Sequence, residues 1–375
     1  MSSPLWQQRG GLDRRASGVL GLLALFAGAA CAAGSARADE PAPARPRPRP
    51  DPAVTPGSKL VQRTHTAMGT QNLFVAYEAD EARVEAAFRE AFEEIDRLER
   101  LLTVWRPESD VSRINAAAGK SAVPVAPETF EVIEKAVELS RLTDGKFDIT
   151  FGALSGLWRF DHDKDNVLPN MDEVKKRLPL IDWTRIRLDP KARTVQLVSP
   201  GMSVHLGGIG KGYAVDRVVA LLRKRGLSNF MVQSGGDLYV AGRRGDRPWR
   251  VGVRDPRAPE GTYFASIELT DATFSTSGDY ERFFIQGERR YHHIIDPDLG
   301  EPATACRSVT IMTPDATTAE GLSKGVFILG PERGLALIEK IPGAGAVIVD
   351  AKNELHVSRR LQGRVMVLKR PTAGL

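Results

Sequence analysis

Six short segments of glycine and small polar residues interrupt the apolar periodicity of this chain, and they limit how it can fold. They read AMGT (67–70), GKFDIT (145–150), HLGGIGKGYAVD (205–216), SGGD (234–237), STSGDY (275–280) and HHIIDPDLGEP (292–302). Each stands where a strand or helix would otherwise bury apolar side chains. One such segment alone is an ordinary turn. Six of them, most at strand ends, are expected to wall a single polar pocket, because loops held by a rigid scaffold carry binding groups.

The stretches between them set the fold class. Val84, Phe88, Phe92, Ile95, Leu98 and Leu102 recur at three- and four-residue spacing and predict a helix over 81–103. Phe130, Ile133 and Val137 predict another from about Pro127 to Leu142, ended by Asp144-Gly145. A third follows the glycines of 207–212 and runs to about Arg225, and two more are expected at about 317–329 and 331–341. Strands are expected in TAMGTQNLFVAYEAD, with a turn at Met68-Gly69, and in RIRLD, TVQLV and NFMVQSGGDLYVAG, the last ending in a Gly-Gly turn. WRVGVRD, TYFASIEL and ATFSTSGDYERFFI alternate as antiparallel strands. Helix pairs mixed with strand meanders predict a mixed α/β, or α+β, body. No repeat at solenoid periods is present.

The N-terminus reads as an export signal over residues 1–38. Arg14-Arg15 precede an uncharged run from Ala16 to Ala36, and Ala36-Arg37-Ala38 gives an A-x-A cleavage site. An uncleaved membrane anchor and lipid attachment at Cys31 are the other readings of this segment. Either would tie an exported, periplasmic protein to a membrane face. Residues 39–58 alternate proline with arginine, which suits an extended spacer and excludes helix or sheet interior. The folded domain is placed at 59–375. Of the formal charge of +5, four arginines against Asp13 in residues 1–38 carry all but two. No basic stripe interleaved with aromatics remains, so nucleic acid is not an expected partner. The chain has two cysteines, Cys31 and Cys306. With Cys31 in the signal, Cys306 has no partner for an intrachain disulfide.

Glycines ahead of a helix often cradle phosphate, but HLGGIGKGYAVD matches neither common phosphate loop. A Walker loop needs glycine six residues before the lysine, where His205 stands, and Ser or Thr after it, where Gly212 stands. The spacing of Gly208, Gly210 and Gly212 is not G-x-G-x-x-G.

Taken in order, the segments resemble the FAD:protein FMN transferase family, the ApbE-type flavin transferases. That family shows M-G-T near its start, an L-S-x-[YW]-x-P-x-S segment matched by LLTVWRPESDVSRIN, then FD-x-T, DLGGIAKGYAVD, GGD, TSGDY and HIIDPxTGxP. The matches run in one order from Met68 to about Gly330. The resemblance implies a T-fold-related single body with mixed and antiparallel sheets flanked by helices. It implies FAD as substrate, a divalent metal, usually magnesium, and an acceptor flavoprotein subunit or domain. A threonine or serine hydroxyl of that acceptor attacks the FMN phosphorus, and AMP leaves.

The resemblance also assigns residues. Lys211 supplies charge to the pyrophosphate, and His293 is the base that activates the hydroxyl; histidine is the side chain that titrates nearest neutrality. Met68, Trp105, Lys146, Phe147, Asp148 and Ile294 fall on positions that contact the flavin dinucleotide, as does His205 at the head of the loop. The metal falls on the Gly208 carbonyl and on the EGLSK segment, at Glu320, Ser323 and Lys324.

Three positions depart from the family pattern. His205 stands for an aspartate, Glu320 for an aspartate and Lys324 for a threonine. An ammonium cannot ligate a metal ion and repels it. Lys324 could point away while Glu320 and Gly208 hold the metal, could replace part of the metal's charge, or could sit one helical step out in solvent. The departures leave two further readings beside FMN transfer: a flavin-binding protein that has lost the transfer step, and a hydrolase that splits FAD into FMN and AMP.

Overall fold

The computed structural model describes residues 57–160 and 164–375. The expected export signal and nearly all of the expected linker lie outside them. No helix among the described residues is long and apolar enough to cross a membrane.

The scaffold is an eight-stranded sheet whose strands lie side by side in chain order, every neighbour antiparallel. The strands are β1 (Lys59–Ala67), β2 (Thr70–Glu78), β3 (Phe230–Ser234), β4 (Asp237–Ala241), β5 (Ala272–Gly278), β6 (Cys306–Met312), β7 (Gly345–Asp350) and β8 (Leu355–Val357). Long insertions separate several of them. The one between β2 and β3 holds five helices: α1 (Glu81–Leu102), α2 (Asp110–Ala116), α3 (Pro127–Leu142), α4 (Met171–Arg177) and α5 (Gly210–Lys224). Helix α6 (Ala316–Ile338) joins β6 to β7.

Strand alternation feeds two cores. Phe74 and Ala76 of β2 face the helical side, with Phe88 and Ile95 of α1, Ile133 of α3 and Leu322 of α6. Val75, between them, faces the opposite side with Val240, Phe274 and Val347. A three-stranded sheet of Trp249–Arg254, Tyr263–Leu269 and Val365–Val367 covers that side.

The expected helices form where the periodicity places them. Asp80 caps α1 by accepting from Arg83 N at 3.0 Å. Phe92, expected on its buried face, is partly buried and stacks on Phe74 with centroids 4.5 Å apart. Gly330, at φ +80° and followed by Pro331, breaks α6 between the two helices expected there. NFMVQSGGDLYVAG is not one strand but the β3–β4 hairpin, with Gly235-Gly236 as its turn.

The β1–β2 hairpin turns through Met68 and Gly69, at φ +54° and +68°. A two-residue hairpin turn favours this left-handed pair because it matches strand twist. Glycine adopts it freely, whereas a methionine is held there by its packing against the helical-side core.

Gly212 marks a close helix crossing. A Cβ on it would lie 2.4 Å from Ala316 O and 3.0 Å from Glu320 Cβ. Gly212→Ala is therefore expected to force α5 from α6 and cost at least about 1–3 kcal/mol, the range of core overpacking. Urea unfolding of the variant beside the parent checks this, and an unchanged midpoint would refute the crossing.

Candidate functional site

The segments singled out in the sequence converge. Gly210 lies beside the Met68 methyl group, Gly208 beside the Phe147 ring, Gly236 against Thr276 O, and Gly69 near the Arg282 guanidinium. Lys146 reaches Asp296 across 150 residues, at 2.9 Å.

A cluster of charges lies where α5, α6, β4 and β5 meet. Glu320, on α6, is fully buried. Its Oε2 accepts the Gly212 N–H at 2.7 Å, in the first turn of α5, where the helix dipole favours a carboxylate. Its Oε1 contacts the Lys211 ammonium and also the Lys324 ammonium, the latter at 3.1 Å. Asp237, at the start of β4, is buried beside them with Oδ2 3.4 Å from Lys211 Nζ, and its Oδ1 accepts from Ser275. The carboxylates form the floor, whereas about a fifth of each lysine side chain remains exposed.

Burial and charge act in opposition here. Burial would raise the Glu320 carboxyl, but Lys211 and Lys324 outweigh it and hold the group at about 2. Burial disfavours the Lys211 ammonium, yet Glu320 and Asp237 hold it above the ordinary lysine value. For Lys324 burial prevails over Glu320, and the nearby Lys211 adds to the lowering. Asp237 is pushed up by burial and by the Glu320 charge.

His293 adjoins this cluster. Its Nδ1 is enclosed and has no hydrogen-bond partner, while its backbone N–H donates to Arg282 O at 3.1 Å. Burial lowers the imidazole well below the usual histidine value, helped by His292, Arg282 and Lys324. His292, the last residue of the strand Arg289–His292, is buried with its Nε2 2.8 Å from Ala303 O; His293 lies past the strand end, so alternation does not set its direction.

His205 keeps the loop shape without a carboxylate. Its Nδ1 accepts the Gly207 N–H at 3.0 Å, as an aspartate does in an Asx turn. The remaining expected contacts divide. Trp105 is 64% exposed and is not core. Met68 is partly buried, while Phe147 and Ile294 are buried in the helical-side core. Asp148 commits both carboxylate oxygens within the protein, to Thr150 N and Oγ1 and to Trp183 N, and burial raises it to about 6. Lys146, expected on the dinucleotide, is engaged by Asp296 and by Asp298 at 2.7 Å. Its side chain locks the HIIDPD turn.

The metal expected at Gly208, Glu320, Ser323 and Lys324 does not fit the residues present. Both Glu320 oxygens already hold donors, two of them ammonium groups. The Ser323 hydroxyl pairs with Ser277 Oγ at 2.7 Å and with Glu320 O at 2.7 Å. A divalent ion roughly 4 Å from one ammonium would be opposed by about 8 kcal/mol at an effective dielectric of about 20. Lys324 therefore neither points away nor sits in solvent; it occupies the Glu320 carboxylate.

Asp237, Ser277 and Arg282 belong to the site but were not picked out individually. Their signal was present in SGGD and STSGDY, and Arg282 follows the latter by two residues. Asp216, at the end of GKGYAVD, accepts from Ala316 N at 2.7 Å and Thr317 N at 2.8 Å, fixing the start of α6. A cavity of about 430 Å³ lined by Phe160, Lys164 and Phe283 shares Arg282 with the cluster.

An antiparallel meander whose inserted helices α5 and α6 bring two lysines onto buried carboxylates, next to a histidine with an unpartnered Nδ1, defines an enzyme built to act on a polyanionic substrate. Solved structures of this architecture include flavin transferases. The fold matches the crystal structure of the ApbE protein from Thermotoga maritima with a TM-score of 0.74 and 32% identity, covering 82% of this chain and 99% of that one. It matches the flavin transferase ApbE from Vibrio cholerae with a TM-score of 0.73 and 27% identity, over the same shares. The chain belongs to the ApbE family, whose sequence pattern matches residues 68–348. It is 34% identical to the FAD:protein FMN transferase of Treponema pallidum (strain Nichols) over 302 residues, covering 76% of this chain and 83% of that protein.

Proposed function

We propose that the protein transfers FMN from FAD to a threonine or serine hydroxyl of an acceptor flavoprotein, forming a phosphoester and releasing AMP. The observation that carries this reading is His293 Nδ1, an enclosed and unpartnered nitrogen beside two lysines. A buried nitrogen without a partner is costly and marks a group that meets its partner in the substrate complex. In that complex the acceptor oxygen attacks the FMN phosphorus, His293 takes the hydroxyl proton, and the bond to the AMP phosphate breaks. Lys211 and Lys324 balance the charge that develops on the departing phosphate, which is the main demand of phosphoryl transfer. The exposed Trp105 ring offers a flat apolar face to an aromatic part of FAD. The signal pattern of residues 1–38 supports export, so the acceptor belongs on the periplasmic side, where a retained signal or lipid would hold the enzyme at the membrane.

The test is incubation of the mature protein with FAD and acceptor flavoprotein domains. A flavin-fluorescent acceptor band that survives denaturation, with one AMP released per flavin attached, is expected. FAD bound without AMP release would instead identify a binding protein, and free FMN formed without acceptor would identify a hydrolase.

A further inference from the structure

The geometry points to Lys324 as the second cation of the pyrophosphate site, acting in place of a divalent metal ion. The inference rests on the flavin transferase reading above. Glu320 and Lys324 stand one turn apart on α6, and Lys324 Nζ is 3.1 Å from Glu320 Oε1. Lys211 reaches the same oxygen from α5. Sharing one oxygen holds the two ammonium groups side by side. Both lysine side chains are partly exposed, whereas Glu320 and Asp237 are buried. An anion approaching from solvent therefore meets two cations before either carboxylate. Two lysines against two carboxylates leave the cluster neutral, so a cation brought in addition would have to displace an ammonium group from Glu320. Lysine serves phosphate as a point charge, and this arrangement supplies two without metal ligands.

The experiment is a FAD titration of the full protein, stripped of metal, in EDTA and in millimolar magnesium, read by flavin fluorescence, with AMP release followed when acceptor is present. Equal affinity within about twofold and AMP release in EDTA are expected. Lys324→Thr should weaken FAD binding in EDTA by about 10–100-fold, the range of a charged hydrogen bond, and Lys324→Met should do the same. Lys324→Arg should retain binding. Wild-type affinity rising about tenfold or more with magnesium, a full charged contact by the same measure, would overturn the proposal. So would undiminished binding by both neutral variants in EDTA. Absence of FAD binding under both conditions would overturn it together with the flavin transferase reading, which separates the two failures.

Discussion

Replacing His293 by asparagine is expected to slow FMN transfer by about 10²–10⁴-fold, the usual contribution of a positioned base, while FAD still binds. The imidazole is enclosed and held neutral by burial and by the charges of His292, Arg282 and Lys324. A base of this kind is ready to accept a proton across the neutral range. The acid limb of the kcat/KM profile should therefore lie below pH 6.5, and the variant should lack it. The same shift affects stability. The unfolded chain binds a proton to this histidine below about pH 6.5 and the folded chain does not, so its contribution is complete above that pH and is lost as pH falls. Single-turnover transfer separates the effect from binding. If His293→Asn raised KM and left the transfer step unchanged, the residue would be a contact and not the base.

The long helices were legible in the sequence because helical amphipathicity is local, whereas the seven-residue α2 and α4 were not. The run from Val84 to Leu102 identifies α1, and Gly330-Pro331 locates the break in α6. The glycine segments were legible as a group because each disrupts a local pattern. Their arrangement was not. The β2–β3 pair is separated by five helices, and no local signal says that Asn72 will pair with Ser234. The same distance hid the fate of Lys146, whose partners Asp296 and Asp298 lie 150 and 152 residues away. It hid Asp237 too, because a single aspartate after two glycines also reads as turn chemistry. At Lys324 the sequence posed the question, an ammonium where a hydroxyl is usual, and only the placement of Glu320 between α5 and α6 decides among its answers.

Lys211→Met is expected to lower stability by about 3–5 kcal/mol, the cost of removing one partner from a buried ion pair, and to weaken FAD binding as well. Two buried carboxylates, Glu320 and Asp237, would be left with Lys324 alone. The effect should depend on pH in a definite direction. Burial opposes the Glu320 charge, but the two lysines hold its carboxyl at about 2, below its unfolded value of 4.5. Its contribution is therefore present above that unfolded value and is lost as pH falls towards about 2. Without Lys211 the carboxyl rises towards its ordinary range and that contribution shrinks. The variant should fall furthest below the parent near neutrality and approach it only as pH falls well below 4.5, towards about 2. Adding Glu320→Gln to Lys211→Met should recover part of the loss, because residues in direct contact are not additive. Urea unfolding of the four proteins of this cycle at two pH values measures each quantity. A loss equal at both pH values, with additive substitutions, would show that Lys211 contributes packing and not charge.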